Sequence, residues 1–434
     1  LKVAIIGGGY AGMSAAVALA ARGVPVTVFE SARQLGGRAR GVFHNGTMLD
    51  NGQHLLLGCY RQTLRMIELV GGNIENDFLR LPLQLDLHGE FSLKAPRLPA
   101  PLHLLVALLQ AQGLTLRERL STLRFMLALR RMKFRLTHDM TVTELLTQYH
   151  QTTAAVQKLW EPLCIAALNT PIYNASAQVL LNVLRDGLDR SRADSDMLLP
   201  CINFTALFPQ RAANYIEQRG GRIFIACGVE ALRISEDSVE LTSMRGVEKF
   251  SHVICATPPM VAVRLLRPLG TLETVVAQID ALKHQPIYTV YLQYPAHVAL
   301  PHPMIGLHQR YSQWLFDKGR INNQHGLLAA VISTEGLHQD LSQDELAQKV
   351  ILELREAFGI IEQPAWYKVI AEKRATFCCS PNLQRPAQQT PLPRLLLAGD
   401  YTAGDYPATL EGAVISGLKC AELIGAEPAR ALRS

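Results

Sequence analysis

Short runs of uninterrupted apolar residues punctuate the chain, separated by longer amphipathic stretches. Val3-Ala4-Ile5-Ile6 follows Lys2, a second run covers Val24 to Phe29, and a third covers Arg394 to Leu397. Runs this short, closed by glycine or by a charge, predict strands buried on both faces, as in a parallel sheet. Residues 10–22 carry the small and apolar side chains of a helix packed on such a sheet. Gly220 to Thr257 predicts three short strands, Arg222 to Ala226, Val229 to Ile234 and Ser238 to Met244, and then an apolar strand from His252 to Ala256. That pattern is a meander followed by one more parallel strand. A last helix opens at Glu411-Gly412-Ala413 and runs through Ser416-Gly417, and the strand from Pro286 to Tyr294 places Tyr288 and Tyr294 on one face.

The first strand, turn and helix enclose Gly7-Gly8-Gly9-Tyr10-Ala11-Gly12. Gly7 permits the tight turn, Gly9 lets a pyrophosphate approach the backbone, and Gly12 lets helix and strand pack closely, with the helix N-terminus facing phosphate. Glu30 lies 18 residues after Gly12, at the end of the second strand, where a carboxylate accepts from both ribose hydroxyls. A carboxylate there also argues against a 2′-phosphate, hence against NADP. Gly36-Gly37-Arg38 adds a close backbone approach and a guanidinium able to reach a phosphate. At the far end Gly399-Asp400 offers a carboxylate to a ribityl chain, and Thr409, Glu411, Gly412 and Ala413 bring a helix N-terminus toward a flavin ring. Val229 supplies a backbone contact to adenine and Thr257 opens the exit loop. A molecule touching both chain ends is a dinucleotide, and the pairing favours FAD over NAD.

Composition narrows the class. The chain has 434 residues, 48% of them apolar, enough for two or three domains with a large core. Eight cysteines show neither a CxxC pair nor a metal-ligand spacing, so neither a zinc site nor a disulfide framework is expected. No stretch reaches about 18 uninterrupted apolar residues, and a strand beginning at residue 2 leaves no room for a leader, so a cytoplasmic location is expected. The net charge of +6 is unevenly spread: nine basic residues between Lys94 and His138 face the single acid Glu118. Leucines rather than stacking aromatics are interleaved with them, which points away from nucleic acid and toward an anionic membrane surface for residues 96–136.

The glycine motif, the Gly-Gly-Arg step and the C-terminal Gly-Asp and Glu-Gly-Ala pair resemble the flavin amine oxidase and phytoene desaturase superfamily. Asp50-Asn51-Gly52-Gln53-His54-Leu55-Leu56-Leu57-Gly58-Cys59-Tyr60, Leu159 to Cys164, Ala167 to Pro171 and Glu372 to Phe377 resemble, more narrowly, the hydroxysqualene dehydroxylase family. The resemblance implies an α/β fold: a Rossmann-like FAD-binding domain with a parallel sheet and a meander, drawn from residues 1–75, 215–265 and 390–434. An interleaved α+β substrate domain would take residues 76–214 and 266–389. It also implies removal of the hydroxyl of hydroxysqualene to give squalene, with reduced FAD as the two-electron donor; carotenoid desaturation or amine oxidation, and a non-catalytic isoprenoid carrier of the same fold, are the alternatives. Loss of water from an allylic carbinol leaves a delocalised cation, which needs a proton donor nearby and a dry aliphatic pocket. Within the resemblance Gly52, Gln53 and His54 line the flavin ring. His54 is the first candidate for proton donor or orienting group, Asp50 the second, and Tyr288, Tyr294 and Trp314 are candidate substrate contacts. The acids Asp186, Asp189, Asp194 and Asp196 lie among Arg185, Arg190 and Arg192 and read as a salt-bridged loop, with binding of the substrate hydroxyl as the alternative role. No second dinucleotide motif is evident, so the sequence assigns no electron donor, and it does not indicate an oligomeric state.

Overall fold

A computed structural model describes residues 1–426; residues 427–434, the end of the expected segment 390–434, lie outside the described residues. The first two apolar runs form β1 (Val3–Ile6) and β2 (Val26–Phe29), joined by helix α1 (Tyr10–Ala20). Every residue of both strands is buried, which is why neither alternates. With β3 (Arg222–Phe224), β4 (His252–Cys255) and β5 (Leu395–Leu397) they make a parallel sheet in the order β3-β2-β1-β4-β5. Remote segments thereby become neighbours: Ile6 pairs with Cys255, and Cys255 with Leu397.

One expected strand belongs elsewhere. The stretch beginning at Arg222 is not the first strand of the meander but the edge of the parallel sheet, where Glu30 N–H donates to Phe224 O at 2.8 Å and Cys227 N–H donates to Glu30 O at 2.8 Å. The meander is Val229–Ile234, Val239–Ser243 and Gly246–Phe250. Its last turn relies on Gly246 at φ 94°, a backbone conformation that glycine adopts without steric cost.

A seven-stranded sheet forms from the middle of the chain. Its order is Trp366–Phe377, His284–Gln293, Leu327–Ser333, Trp314–Asp317, Met304–Gly306, Gln84–Leu87 and Phe91–Lys94. The period of two sorts its faces. Tyr288, Val290 and Leu292 pack with Leu346, Val350 and Leu354 of the helix Gln343–Phe358, whereas Trp314, Phe316 and Val331 join the large core on the opposite side.

The basic segment folds as two helices, α2 (Leu102–Gln110) and α3 (Leu116–Arg131). Gly113, at φ 84°, breaks the path between them, and a Thr115–Glu118 capping box restarts it. Thr122, Phe125 and Leu129 form the buried face of α3, while Leu116, Leu120, Arg124, Leu127 and Arg131 lie on its solvent face. Among the described residues no helix is long and apolar enough to cross a membrane. The chain closes with α4 (Leu410–Ala426), which packs along α1; a Cβ at Gly417 would stand 2.1 Å from Ala11 O.

Candidate active site

A cavity of about 890 Å³ opens at the carboxyl ends of the parallel strands and extends toward the seven-stranded sheet. It lies near the upper end of the roughly 300–1,000 Å³ usual for ligand sites. Gly7 follows β1, Glu30 follows β2, Thr257 follows β4, and Gly399 and Asp400 follow β5; all five line it. Residues just past strand ends converge because the strands are parallel, the arrangement by which open α/β sheets bind nucleotides.

The polar half of the cavity is shaped around backbone. Gly7 sits at φ +109°, and a Cβ there would stand 2.5 Å from Ala256 O. Gly37 approaches Gly9 so closely that its Cβ would stand 3.3 Å from Gly9 Cα. Ala11 lines the cavity in the first turn of α1, where N–H groups lack intrahelical acceptors. The Glu30 carboxylate is buried and accepts from Gly8 N–H and Ala32 N–H, both at 2.7 Å, which orients it while leaving lone pairs for a ligand. Gly52, Gln53, Val229, Thr409 and Ala413 also line the cavity. Arg38 lines it as well, but its guanidinium donates to Asp400 Oδ1 and Ala375 O, both at 2.5 Å. That ion pair ties the turn after β2 to the turn after β5.

His54 faces the cavity half-buried, with Nδ1 2.8 Å from Gly52 O. A carbonyl oxygen only accepts, so Nδ1 carries the proton and Nε2 is left as an acceptor. Burial pushes the His54 pKa below its ordinary value; the bond to Gly52 opposes that shift and the charge of Arg38 reinforces it. The neutral ring holds its loop and offers no proton from Nε2.

Several expected positions face elsewhere. Gly12 lies behind the cavity wall, where a Cβ would stand 2.0 Å from Gly7 O, so it serves the contact between helix and strand. Asp50 does not reach the cavity: it is buried, its Oδ1 accepts from Phe204 N–H at 2.9 Å, and burial raises its pKa to about 6. Glu411 turns away from the cavity and accepts from Gln62 N–H, Thr63 N–H and Thr63 Oγ at 2.9, 2.8 and 2.6 Å. It caps the helix Arg61–Leu69, whose own N-cap residue Tyr60 supplies no side-chain bond. Gly412 packs against the Pro407 carbonyl. Tyr288 and Tyr294 share a face as expected, but that face meets the helix Gln343–Phe358. The cavity side of the sheet instead presents Ile287, Trp314, Phe316 and Val331.

The inner half of the cavity is apolar, with Leu163, Val183, Leu184, Met197, Met304 and Trp314 in its wall. Into it project two polar groups that form a pair: Tyr406 donates its hydroxyl to Asp186 Oδ2 at 3.0 Å. All four acids of the cluster are salt-bridged, as expected: Arg61 meets Asp194, Arg80 and Arg192 meet Asp196, Arg130 meets Asp189, and Arg185 and Arg190 meet Asp186. Asp186 differs because, besides meeting Arg185 and Arg190, it borders the cavity. The sequence pointed to Asp186 only as one member of the acidic cluster, and no periodicity marked Tyr406 as its partner. Among the described residues no group of histidine, cysteine, aspartate and glutamate is arranged to hold a metal ion.

The model of the family described as flavin containing amine oxidoreductase matches residues 10–425, so the chain belongs to that family. The dinucleotide addressed by the two chain ends is FAD, and the glycine-shaped cleft and oriented Glu30 fit it. The chain is similar to the hydroxysqualene dehydroxylases of Zymomonas mobilis, 26% identical over 96% of this chain and 98% of that one, and of Sinorhizobium fredii, 28% identical over 97% and 98%. It is also similar to the zeta-carotene desaturase of Arabidopsis thaliana, 25% identical over 98% of this chain and 85% of that one. Among solved structures, a triple mutant of putrescine oxidase shares the fold, with a TM-score of 0.76 at 16% identity, covering 98% of this chain and 99% of that chain.

Proposed function

We propose that the protein reductively removes the hydroxyl of hydroxysqualene to give squalene. The observation that carries this reading is the continuity of a dinucleotide cleft with a mainly apolar chamber whose wall includes the Tyr406–Asp186 pair, a shape suited to a long hydrocarbon bearing one oxygen. The similarity to two hydroxysqualene dehydroxylases over nearly the whole chain supports it. Bound and reduced, FAD supplies a hydride. The chain's own residues do the remaining work. Gly7, Gly9 and Gly37 would admit the pyrophosphate, Glu30 would receive the ribose, and the Arg38–Asp400 pair fixes the turn that would flank the ribityl chain. Leu163, Leu184, Met304 and Trp314 exclude water from the reacting carbon, so that a developing cation meets hydride before solvent. His54, neutral and tied to Gly52 O, holds its loop in the shape that would face the ring.

Anaerobic mixing of chemically reduced protein with hydroxysqualene tests the assignment, with flavin reoxidation and squalene formation followed together. Reoxidation without squalene would overturn it. Desaturation of a polyene, suggested by the similarity to zeta-carotene desaturase, moves hydride the opposite way; product analysis with oxidised enzyme and a carotenoid precursor distinguishes the two.

The substrate class calls for a lipid surface. Leu116, Leu120 and Leu127 on α3 and Leu102 and Leu109 on α2 are exposed beside Arg117, Arg124 and Arg131. On the inner side of α2, His103 meets Ser195 at 3.3 Å, and Ser195 lines the cavity. Through that contact α2 backs the cavity wall, and the exposed face formed by α2 and α3 is suited to rest on an anionic bilayer. Flotation with liposomes containing anionic lipid tests peripheral attachment, and loss of binding in Leu116→Glu/Leu120→Glu is the expected result.

A further inference from the structure

A second, smaller cavity of about 270 Å³ lies beside the first. Its wall is polar, with Arg61, Gln62, Arg190 and Glu411 contributing, and the Arg61 and Arg190 side chains are more than half exposed. Cys59, Asp186 and Tyr406 line both cavities and thus form the partition between the apolar chamber and this polar recess.

The bonding of the partition sets its chemistry. Asp186 is buried, accepts from Arg185 at 2.9 and 3.1 Å, and pairs with Arg190 at 3.1 Å. Burial alone would raise its pKa, but the bonds from Arg185 and Tyr406 hold it below the ordinary value, so the carboxylate stays ionised. Burial and the Asp186 charge push the Tyr406 hydroxyl up, so its proton stays directed at Oδ2. The Tyr406 oxygen then has lone pairs and no proton to offer the chamber. A group that presents only lone pairs in an apolar wall recognises a hydrogen-bond donor.

We propose that the Tyr406–Asp186 pair is the station that holds the substrate's hydroxyl, and that the polar recess behind it is the path by which the released oxygen leaves as water. This rests on the dehydroxylation reading and names the residues that select the alcohol. Exchanging C–OH for C–H breaks the C–O bond and forms a C–H bond: reduced flavin would supply the hydride, solvent in the recess opened by Arg61 and Arg190 supplies the proton to the departing oxygen, and one water is released. A chamber filled by a C30 chain has no space for that water on its apolar side, whereas the recess meets solvent at Arg61 and Arg190. The Asp186 charge also lies on the side of the chamber where positive charge develops as the C–O bond breaks.

Binding to the oxidised enzyme, which carries no hydride to transfer, tests the station without turnover. Hydroxysqualene and squalene are titrated separately, and the shift in flavin absorption is read. Wild type is expected to bind the alcohol about tenfold or more tightly than the hydrocarbon, the range of a hydrogen bond to a charge-coupled group. Tyr406→Phe, which removes one oxygen, is expected to abolish that preference while leaving squalene affinity and the bound-flavin spectrum unchanged. Asp186→Asn, which frees the Tyr406 proton, is expected to reduce the preference. An equal preference in wild type and Tyr406→Phe, or none in wild type, would overturn the station. A preference lost in Tyr406→Phe, in an enzyme that when reduced makes no squalene, would keep the station and overturn the assigned reaction.

Discussion

Glu411 separates two roles that sequence motif and structure assign to one residue. At the opening of α4 it was expected to bring the helix N-terminus to the flavin, yet its carboxylate binds Gln62 N–H, Thr63 N–H and Thr63 Oγ, all within 2.9 Å. Glu411→Ala removes the acceptor for two backbone donors and a hydroxyl at the start of a helix that has no cap of its own. Each buried donor left unpaired costs about 1–3 kcal/mol. Glu411 borders the small polar recess, so water can reach part of the gap, and a loss of about 2–3 kcal/mol is expected. Glu411→Gln keeps one acceptor oxygen and should lose about 1 kcal/mol. Burial raises the Glu411 pKa above its ordinary 4.5. The folded state thus holds a proton that the unfolded state releases, and this group's contribution to stability falls as pH rises from 4.5 through the raised value. Glu411→Gln should flatten that dependence. Urea unfolding across a pH series, with the flavin spectrum recorded on each sample, measures all three effects. Unchanged stability together with loss of flavin in Glu411→Gln would refute the capping role and restore the cofactor contact.

Gly12→Val should prevent assembly of the FAD cleft, since even a Cβ would stand 2.0 Å from Gly7 O; the check is whether the soluble protein carries flavin absorbance. His54 is neutral in the folded state with its pKa below 6.5, so the unfolded chain takes up a proton first as pH falls. Its contribution is full above about 6.5 and is lost on acidification below that. His54→Gln should therefore lessen the acid sensitivity of flavin retention, followed by flavin fluorescence on release. The same variant should leave the pH profile of single-turnover reduction between pH 6.5 and 8 unchanged; loss of an acidic limb there would restore His54 as the proton donor.

Where a residue acts from the end of a buried strand, the chain could be read directly. Gly7, Gly9, Glu30 and Gly399 lie at strand ends, and a strand end is visible as the close of an apolar run. The buried strands were legible for the same reason, because burial on both faces removes alternation. Face and partner were harder. Alternation put Tyr288 and Tyr294 together, but only the position of the helix Gln343–Phe358 decides which side of the sheet is the cavity. Likewise Arg222–Phe224 reads as a strand in either sheet, and its hydrogen bonds with the segment at Glu30 choose the parallel one.

The sequence by itself determined the FAD cleft, its assembly from both chain ends, and the basic leucine-rich segment. These depend on spacing and periodicity, which are local properties. Tertiary structure alone decided that Arg38 meets Asp400, that Glu411 caps a helix 348 residues away, and that Asp186 and Tyr406 form one pair across 220 residues. Such contacts join side chains whose separation along the chain carries no periodic signal. The packing of the sheets brings them within hydrogen-bonding distance, and it does so at the wall where a polar group in an apolar chamber has the most to recognise.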